Sequence, residues 1–367
     1  MTFNGSKQLM TNLLIACIST AVSFVFVFSL GEVITRKLQL LDNLLPYKEN
    51  LVYKTSTING LFYELKPNIN INRMGTVIKT NLKGLRDYEF SEKKPDGVFR
   101  ILVLGDSITE GHAIDGESTY PKKIEKLLNN RTTSRKYEVI NCGVTGYNTF
   151  QELVFLKEKG ITYQPDLVIV GFCPNDIMEP AILKNTGFVK PKKAINVSLK
   201  NPIQFLKSLY FRLEIFLQEN SHLYKFLYIR IKRMELEPDD KQLEMHYNAV
   251  LHRYGNKTEV ARLVSQLYQL ITFTRKNNCE IVIVYFPYKM ELDTMVSGKQ
   301  KPRELINKCC NPQNIPLLDL TETFLEKIKK ESVELYLPGD ITHLNEKGCE
   351  VVAESVYQFL VYEKLIH

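Results

Sequence analysis

The sequence predicts an α/β protein: a three-layer α/β/α, doubly wound (flavodoxin-like) parallel sheet of five strands, with an N-terminal transmembrane helix and a helical insertion. Three observations predict it. Five short apolar or β-branched runs alternate with helix-like stretches across residues 99–367. Several of those runs end in turns rich in Gly, Ser, Asn and Asp, which is where open α/β sheets place their ligands. Ahead of them all, Gln8 to Gly31 is a run of 24 residues without a charge.

That run comes first in the chain. About 20 apolar residues span a bilayer as a helix, and the second half of this stretch, from Ala21 to Phe28, is strongly apolar. Residues 1–35 are therefore expected to form an uncleaved anchor. A cleaved signal peptide lacks its small-residue site, and Leu14-Ile15-Ala16-Cys17, which would lipidate Cys17, is followed by apolar rather than polar residues. Flanking charge weakly favours a cytoplasmic body, with Lys7 before the span and Arg36, Lys37 and Lys48 after it. Residues 36–98 form a pre-core segment. Within it, Tyr63–Asn68 and Thr80–Asp87 are expected as an edge strand and turn packed on the core, in preference to a substrate contact by Arg86.

The core, 99–367, follows. Strands are expected at Arg100–Leu104, Glu138–Asn141, Asp166–Gly171, Glu280–Phe286 and Ile315–Leu320. Helices are expected at Tyr120–Asn129, Thr149–Lys159, Glu259–Asn277, Arg303–Cys309, Glu322–Lys330 and Asn345–Tyr362. Pro121 falls in the first turn of its helix, where a missing N–H costs nothing. With 367 residues, 44% hydrophobic and 24% charged, the chain suits one large domain with attachments.

The alternation breaks between about 177 and 256, far longer than an ordinary connection. From Lys184 to Arg233 there are eleven Lys or Arg against two acidic residues, interleaved with Phe188, Phe205, Tyr210, Phe211, Phe216, Tyr224, Phe226 and Tyr228. Such a segment suits anionic lipid or an acidic polymer, or else an amphipathic cap over the core. No recognition motif for nucleic acid accompanies the charge. The seven cysteines include adjacent Cys309-Cys310 and show neither a disulfide framework nor zinc spacing, so buried free thiols are expected.

The chemistry sits in four turns. Ile101–Leu104 runs into Gly105-Asp106-Ser107, a serine at a strand end ahead of a helix. A serine hydroxyl needs a histidine to take its proton and a carboxylate to orient that histidine, and Asp340-Ile341-Thr342-His343 supplies both. Asp319, at another strand tip, is the competing carboxylate. Donors for an oxyanion can come from Asn141-Cys142-Gly143-Val144-Thr145-Gly146 and from Cys173-Pro174-Asn175-Asp176.

Ser, Gly, Asn and His at successive turns, in that order, resemble the SGNH or GDSL hydrolases, and the flanks 115–121 and 146–149 resemble a bacterial, membrane-tethered branch. The resemblance implies Ser107 as nucleophile and oxyanion donor, Gly143 as a backbone donor, Asn175 as a side-chain donor, Asp340 as orienting acid and His343 as base. It implies no metal or organic cofactor. Where that family usually has glycine two residues before the asparagine, this chain has Cys173, which would be strained at positive φ. It further implies an esterase acting on an O-acyl ester, O-acetyl on carbohydrate or lipid included, with the catalytic domain outside the cytoplasm. The alternatives are an acyltransferase using the same site on an envelope polysaccharide or lipid, and a non-catalytic scaffold for envelope assembly.

Overall fold

The computed structural model describes residues 3–38, 52–73, 76–131, 135–179, 182–184, 187–189, 217, 221, 223, 224, 227, 240–292 and 301–366. The chain divides into two compact units, one of residues 1–48 and 192–237, the other of 49–191 and 238–367.

In the first unit, α1 (Phe3–Lys37) is a single long helix. Its portion Ile18–Lys37 has a mean hydropathy of 1.8 and is long and apolar enough to cross a membrane. Near its end, Glu32 accepts hydrogen bonds from Ser221 Oγ at 2.8 Å and from the Leu223 N–H at 2.9 Å, so part of the insertion is tied to this helix. Most of the basic, aromatic stretch lies outside the described residues.

The second unit begins with two antiparallel hairpins, β1 (Tyr53–Thr55) with β2 (Tyr63–Leu65) and β3 (Asn70–Arg73) with β4 (Thr76–Lys79). The parallel sheet then forms from β5 (Val98–Leu104), β6 (Lys136–Asn141), β7 (Leu167–Phe172), β10 (Glu280–Tyr285) and β11 (Leu317–Asp319), in the order β11-β10-β7-β5-β6. A small hairpin, β8 (Ile182–Lys184) with β9 (Gly187–Val189), interrupts the sequence. The helices are α2 (Ser107–Glu110), α3 (Tyr120–Arg131), α4 (Thr149–Glu158), α5 (Asp240–Arg253), α6 (Lys257–Lys276), α7 (Lys301–Cys310), α8 (Thr321–Glu331) and α9 (Glu346–Tyr362).

The expected strands and helices thus appear within about two residues of their sequence-based limits. Alternation along the strands explains why the sheet is covered on both sides. Leu102, Leu104, Val168, Val170, Ile281 and Ile283 point into one apolar cluster, while Ile101, Val103, Leu167, Ile169, Val282 and Val284 point into the other. Helices α4 and α6 pack together, as do α3 and α9.

The pre-core hairpins are built into the first of those clusters through Tyr53, Tyr63, Leu65 and Ile78. The end of the stretch expected as insertion also belongs to the core. In α5, Tyr247 and Val250 are buried, and Tyr254 just beyond it donates to Pro174 O at 2.8 Å. Six cysteines, Cys142, Cys173, Cys279, Cys309, Cys310 and Cys349, are buried free thiols.

Candidate active site

The strand order reverses between β5 and β7, and the crevice at such a switch point is where doubly wound sheets bind ligands. Ser107 follows β5 and Asn175 follows β7, so the two lie on either side of it.

Gly105 begins the serine turn because nothing larger fits: a Cβ there would lie 2.0 Å from Thr109 Oγ1. Asp106 caps α2, its Oδ1 accepting the Ile108 N–H at 2.9 Å. Ser107 stands at the first helical position, where a backbone N–H has no intrahelical acceptor. Its Oγ is 2.9 Å from His343 Nε2, although the two residues are 236 positions apart in the chain. The residue is only 7% exposed, so a substrate must reach it through the crevice.

His343 lies on a turn shaped by Asp340. Asp340 Oδ1 accepts the N–H groups of Thr342 at 2.7 Å and His343 at 2.9 Å, while Oδ2 lies 2.6 Å from His343 Nδ1. Burial pushes the Asp340 carboxyl up, but the hydrogen bonds and charge of His343 and the two N–H groups outweigh it and hold the pKa at about 2. The competing carboxylate is engaged elsewhere. Asp319 pairs with Arg303 and accepts the Thr321 N–H at 2.9 Å.

Asn175 is placed by the acid of the serine turn. Its Nδ2 donates to Asp106 Oδ2 at 3.0 Å, which uses one of the two amide hydrogens. Cys173 adopts an extended backbone, φ −135°, so the strain foreseen for a residue in a glycine position does not arise. Its Sγ contacts Asp106 Oδ2 at 3.3 Å and Asn175 Oδ1.

The Gly143 N–H, expected as an oxyanion donor, donates to Asn141 Oδ1 at 2.9 Å. What the glycine provides is close approach, since a Cβ would lie 2.3 Å from the Glu110 N. On the same loop Val144 N donates to Gly105 O at 3.1 Å and Thr145 N to Glu110 Oε2 at 2.6 Å. Among the described residues the N–H of Gly146 has no acceptor, and its φ of +79° suits glycine.

Several supporting groups carry no motif. Tyr53 OH donates to Glu110 Oε2 at 2.9 Å, and Tyr63 OH to Thr145 O at 2.7 Å, so the pre-core hairpin holds two site loops. Arg86 is buried, and its guanidinium donates to the carbonyls of Glu110, Gly111, Ile114 and Val77. It braces the turn after Ser107. Beside it, Asp87 pairs with Lys122 at 2.6 Å and accepts the Asn141 N–H at 2.6 Å. Burial nonetheless raises the Asp87 carboxyl to about 6.

Beneath Asn175 lies a pair of buried acids. Asp176 accepts the Cys173 N–H at 2.9 Å, and Glu152 is 1% exposed. Burial, followed by the nearby carboxyl groups, raises both well above the usual carboxylate range. Among the described residues no cluster of three or more His, Cys, Asp or Glu is arranged to hold a metal.

A family model described as the GDSL-like lipase/acylhydrolase family matches residues 103–351. Among curated proteins nothing matches the chain. Similar solved structures include an acetyl xylan esterase, 16% identical, with 71% of this chain and 98% of that one covered and a TM-score of 0.42. Another is a catalytic mutant of an acetylxylan esterase from Geobacillus stearothermophilus, 15% identical, with 71% and 94% covered and a TM-score of 0.42. A third is the lipase/acylhydrolase from Enterococcus faecalis, 13% identical, with 72% and 96% covered and a TM-score of 0.42.

Proposed function

The chain belongs to the GDSL-like lipase/acylhydrolase family, and on that premise we propose that it is a membrane-anchored serine esterase working through Ser107, His343 and Asp340. The observation that carries this reading is the relay of 2.9 Å from Ser107 Oγ to His343 Nε2 and 2.6 Å from His343 Nδ1 to Asp340.

In the proposed reaction His343 Nε2 takes the hydroxyl proton as Ser107 Oγ attacks the ester carbonyl carbon. Asp340 keeps the proton of His343 on Nδ1 and stabilises the imidazolium. The oxyanion is received by the Ser107 N–H, by the second amide hydrogen of Asn175 and by the free N–H of Gly146, in place of Gly143. The carbonyl–alkoxy bond breaks, and the leaving oxygen takes the proton from His343. Water then attacks the acyl-serine, His343 again accepts the proton, and the carboxylic acid leaves as Ser107 is reprotonated.

The low exposure of Ser107 favours a short acyl group, acetyl on a carbohydrate or lipid hydroxyl being the simplest. The helix Ile18–Lys37 supplies the anchor, with the catalytic unit outside the cytoplasm. The basic insertion, tied to that helix through Glu32, suits an anionic surface beside it.

Mass spectrometry of the full chain in detergent after exposure to a fluorophosphonate tests the central claim. A single adduct on Ser107 that is lost in His343→Ala is expected. A folded, unlabelled protein would remove the serine mechanism. Turnover of p-nitrophenyl esters of increasing chain length, acetate fastest, tests the acyl group. Product analysis with an added sugar acceptor separates transfer from hydrolysis, which yields only the free acid.

A further inference from the structure

The His343 ring is held at both ends, Nδ1 by Asp340 and Nε2 by Ser107. Both bonds lie in the ring plane, and they leave the ring free to tilt about the line joining the two partners. One face is covered: the imidazole of His112 stacks on it, with centroids 4.2 Å apart and planes at 27°. Asp340, Ser107 and His112 thus all touch the His343 ring.

The backbone that delivers His112 is left-handed on both sides, at no cost for Gly111 and with strain at Ala113. Gly111 has φ +91° and Ala113 has φ +54°, a left-handed conformation that a residue with a Cβ rarely adopts. Strain of this kind persists where the surroundings over-determine it. Here the guanidinium of Arg86 donates to the carbonyls of Glu110 and Gly111 before His112 and of Ile114 after it. The His112 N–H closes the loop onto the nucleophile by donating to Ser107 O at 2.9 Å.

We propose that His112 is a positioning residue for the catalytic imidazole, held over its face by the Arg86 clamp. The proposal rests on the reading of Ser107 and His343 given above. Covering one face of the ring restricts its tilt while Ser107 Oγ moves from Nε2 toward the acyl carbon.

The test is kcat and KM, determined separately on p-nitrophenyl acetate, with the fluorophosphonate labelling rate of Ser107, for the full-length wild type, His112→Ala and His112→Phe. His112→Ala is expected to lower kcat and the labelling rate about 10-fold. KM should change little, because the cover acts on the imidazole and not on the bound ester. His112→Phe restores the cover and is expected to recover most of the rate. A wild-type kcat in His112→Ala would overturn the proposal, as would a His112→Phe variant as impaired as His112→Ala. A wild type that takes no label at Ser107 would overturn the serine mechanism itself, which keeps the two failures apart.

Discussion

The turn that carries His343 and the turn that carries Ser107 are built on different plans. The His343 turn is mostly local: both Asp340 carboxylate oxygens are bonded by residues 342 and 343, and the Asp340 N–H donates to Leu337 O at 3.1 Å, with the Lys289 N–H reaching Ile341 O at 2.7 Å from farther away. The Ser107 turn is held from a distance, by Arg86 from 24 to 28 residues away, by Tyr53 on Glu110 and by Asn141 on Thr109 O at 2.8 Å. A local turn can be replaced with effects confined to chemistry, whereas a braced turn couples chemistry to stability.

The largest effect should show that separation most clearly. His343→Ala is expected to reduce ester hydrolysis by about 10⁴-fold or more. Thermal unfolding should shift by less than about 4 °C, because the side chain is partly exposed and the backbone bonds to Asp340 remain. A large fall in the melting temperature would mean that the contact between His343 and Ser107 braces the fold.

Next, Asp340→Asn should cost more than about 2 kcal/mol of transition-state stabilisation, roughly 30-fold in kcat/KM, and Asp319→Asn less than about threefold. The carboxyl of Asp340, held at about 2 against an ordinary 3.8, stabilises the native state above pH 3.8 and ceases to as pH falls through 2. Asp340 should therefore contribute no limb to the activity profile above pH 5.

On the braced side, Arg86→Met should destabilise the protein by about 3 kcal/mol in denaturant titration, because buried carbonyls lose their donors. Activity should fall with stability. Full stability with lost activity would place Arg86 in the chemistry and break the contrast.

The smallest effect concerns the acids below Asn175. With the Glu152 pKa raised in the folded protein, its contribution to stability is complete at pH values below that of the unfolded carboxyl and declines as pH rises above it. Glu152→Gln removes that ionisation. The melting temperature of the variant relative to wild type should increase from pH 5 to pH 8 by a few degrees, as calorimetry would show. A constant difference would mean that Glu152 is ionised in the native state.

The contrast between the two turns is also a contrast in what could be read. The Asp340–His343 pairing follows from a three-residue spacing, and the structure keeps Asp319 on Arg303 instead. The Gly105-Asp106-Ser107 turn was likewise visible as a strand running into a small-residue loop. His112 and Arg86 left no such trace. A histidine five residues past the serine and an arginine in an unassigned pre-core stretch acquire their roles through contacts that no local periodicity encodes.

By itself, the sequence determined the five strands, the helices between them and the apolar span. Alternating burial and strand-end turns are local patterns, set by a repeat of two or 3.6 residues. Only the tertiary structure decided which N–H on the 141–147 loop stays free. Only it showed that Cys173 is extended, that the pre-core hairpins hold the loops at 110 and 145, and that His112 stacks on His343. Those outcomes depend on hydrogen bonds and ring contacts between residues tens to hundreds of positions apart. Such pairings are fixed only once the sheet has brought the turns to one edge.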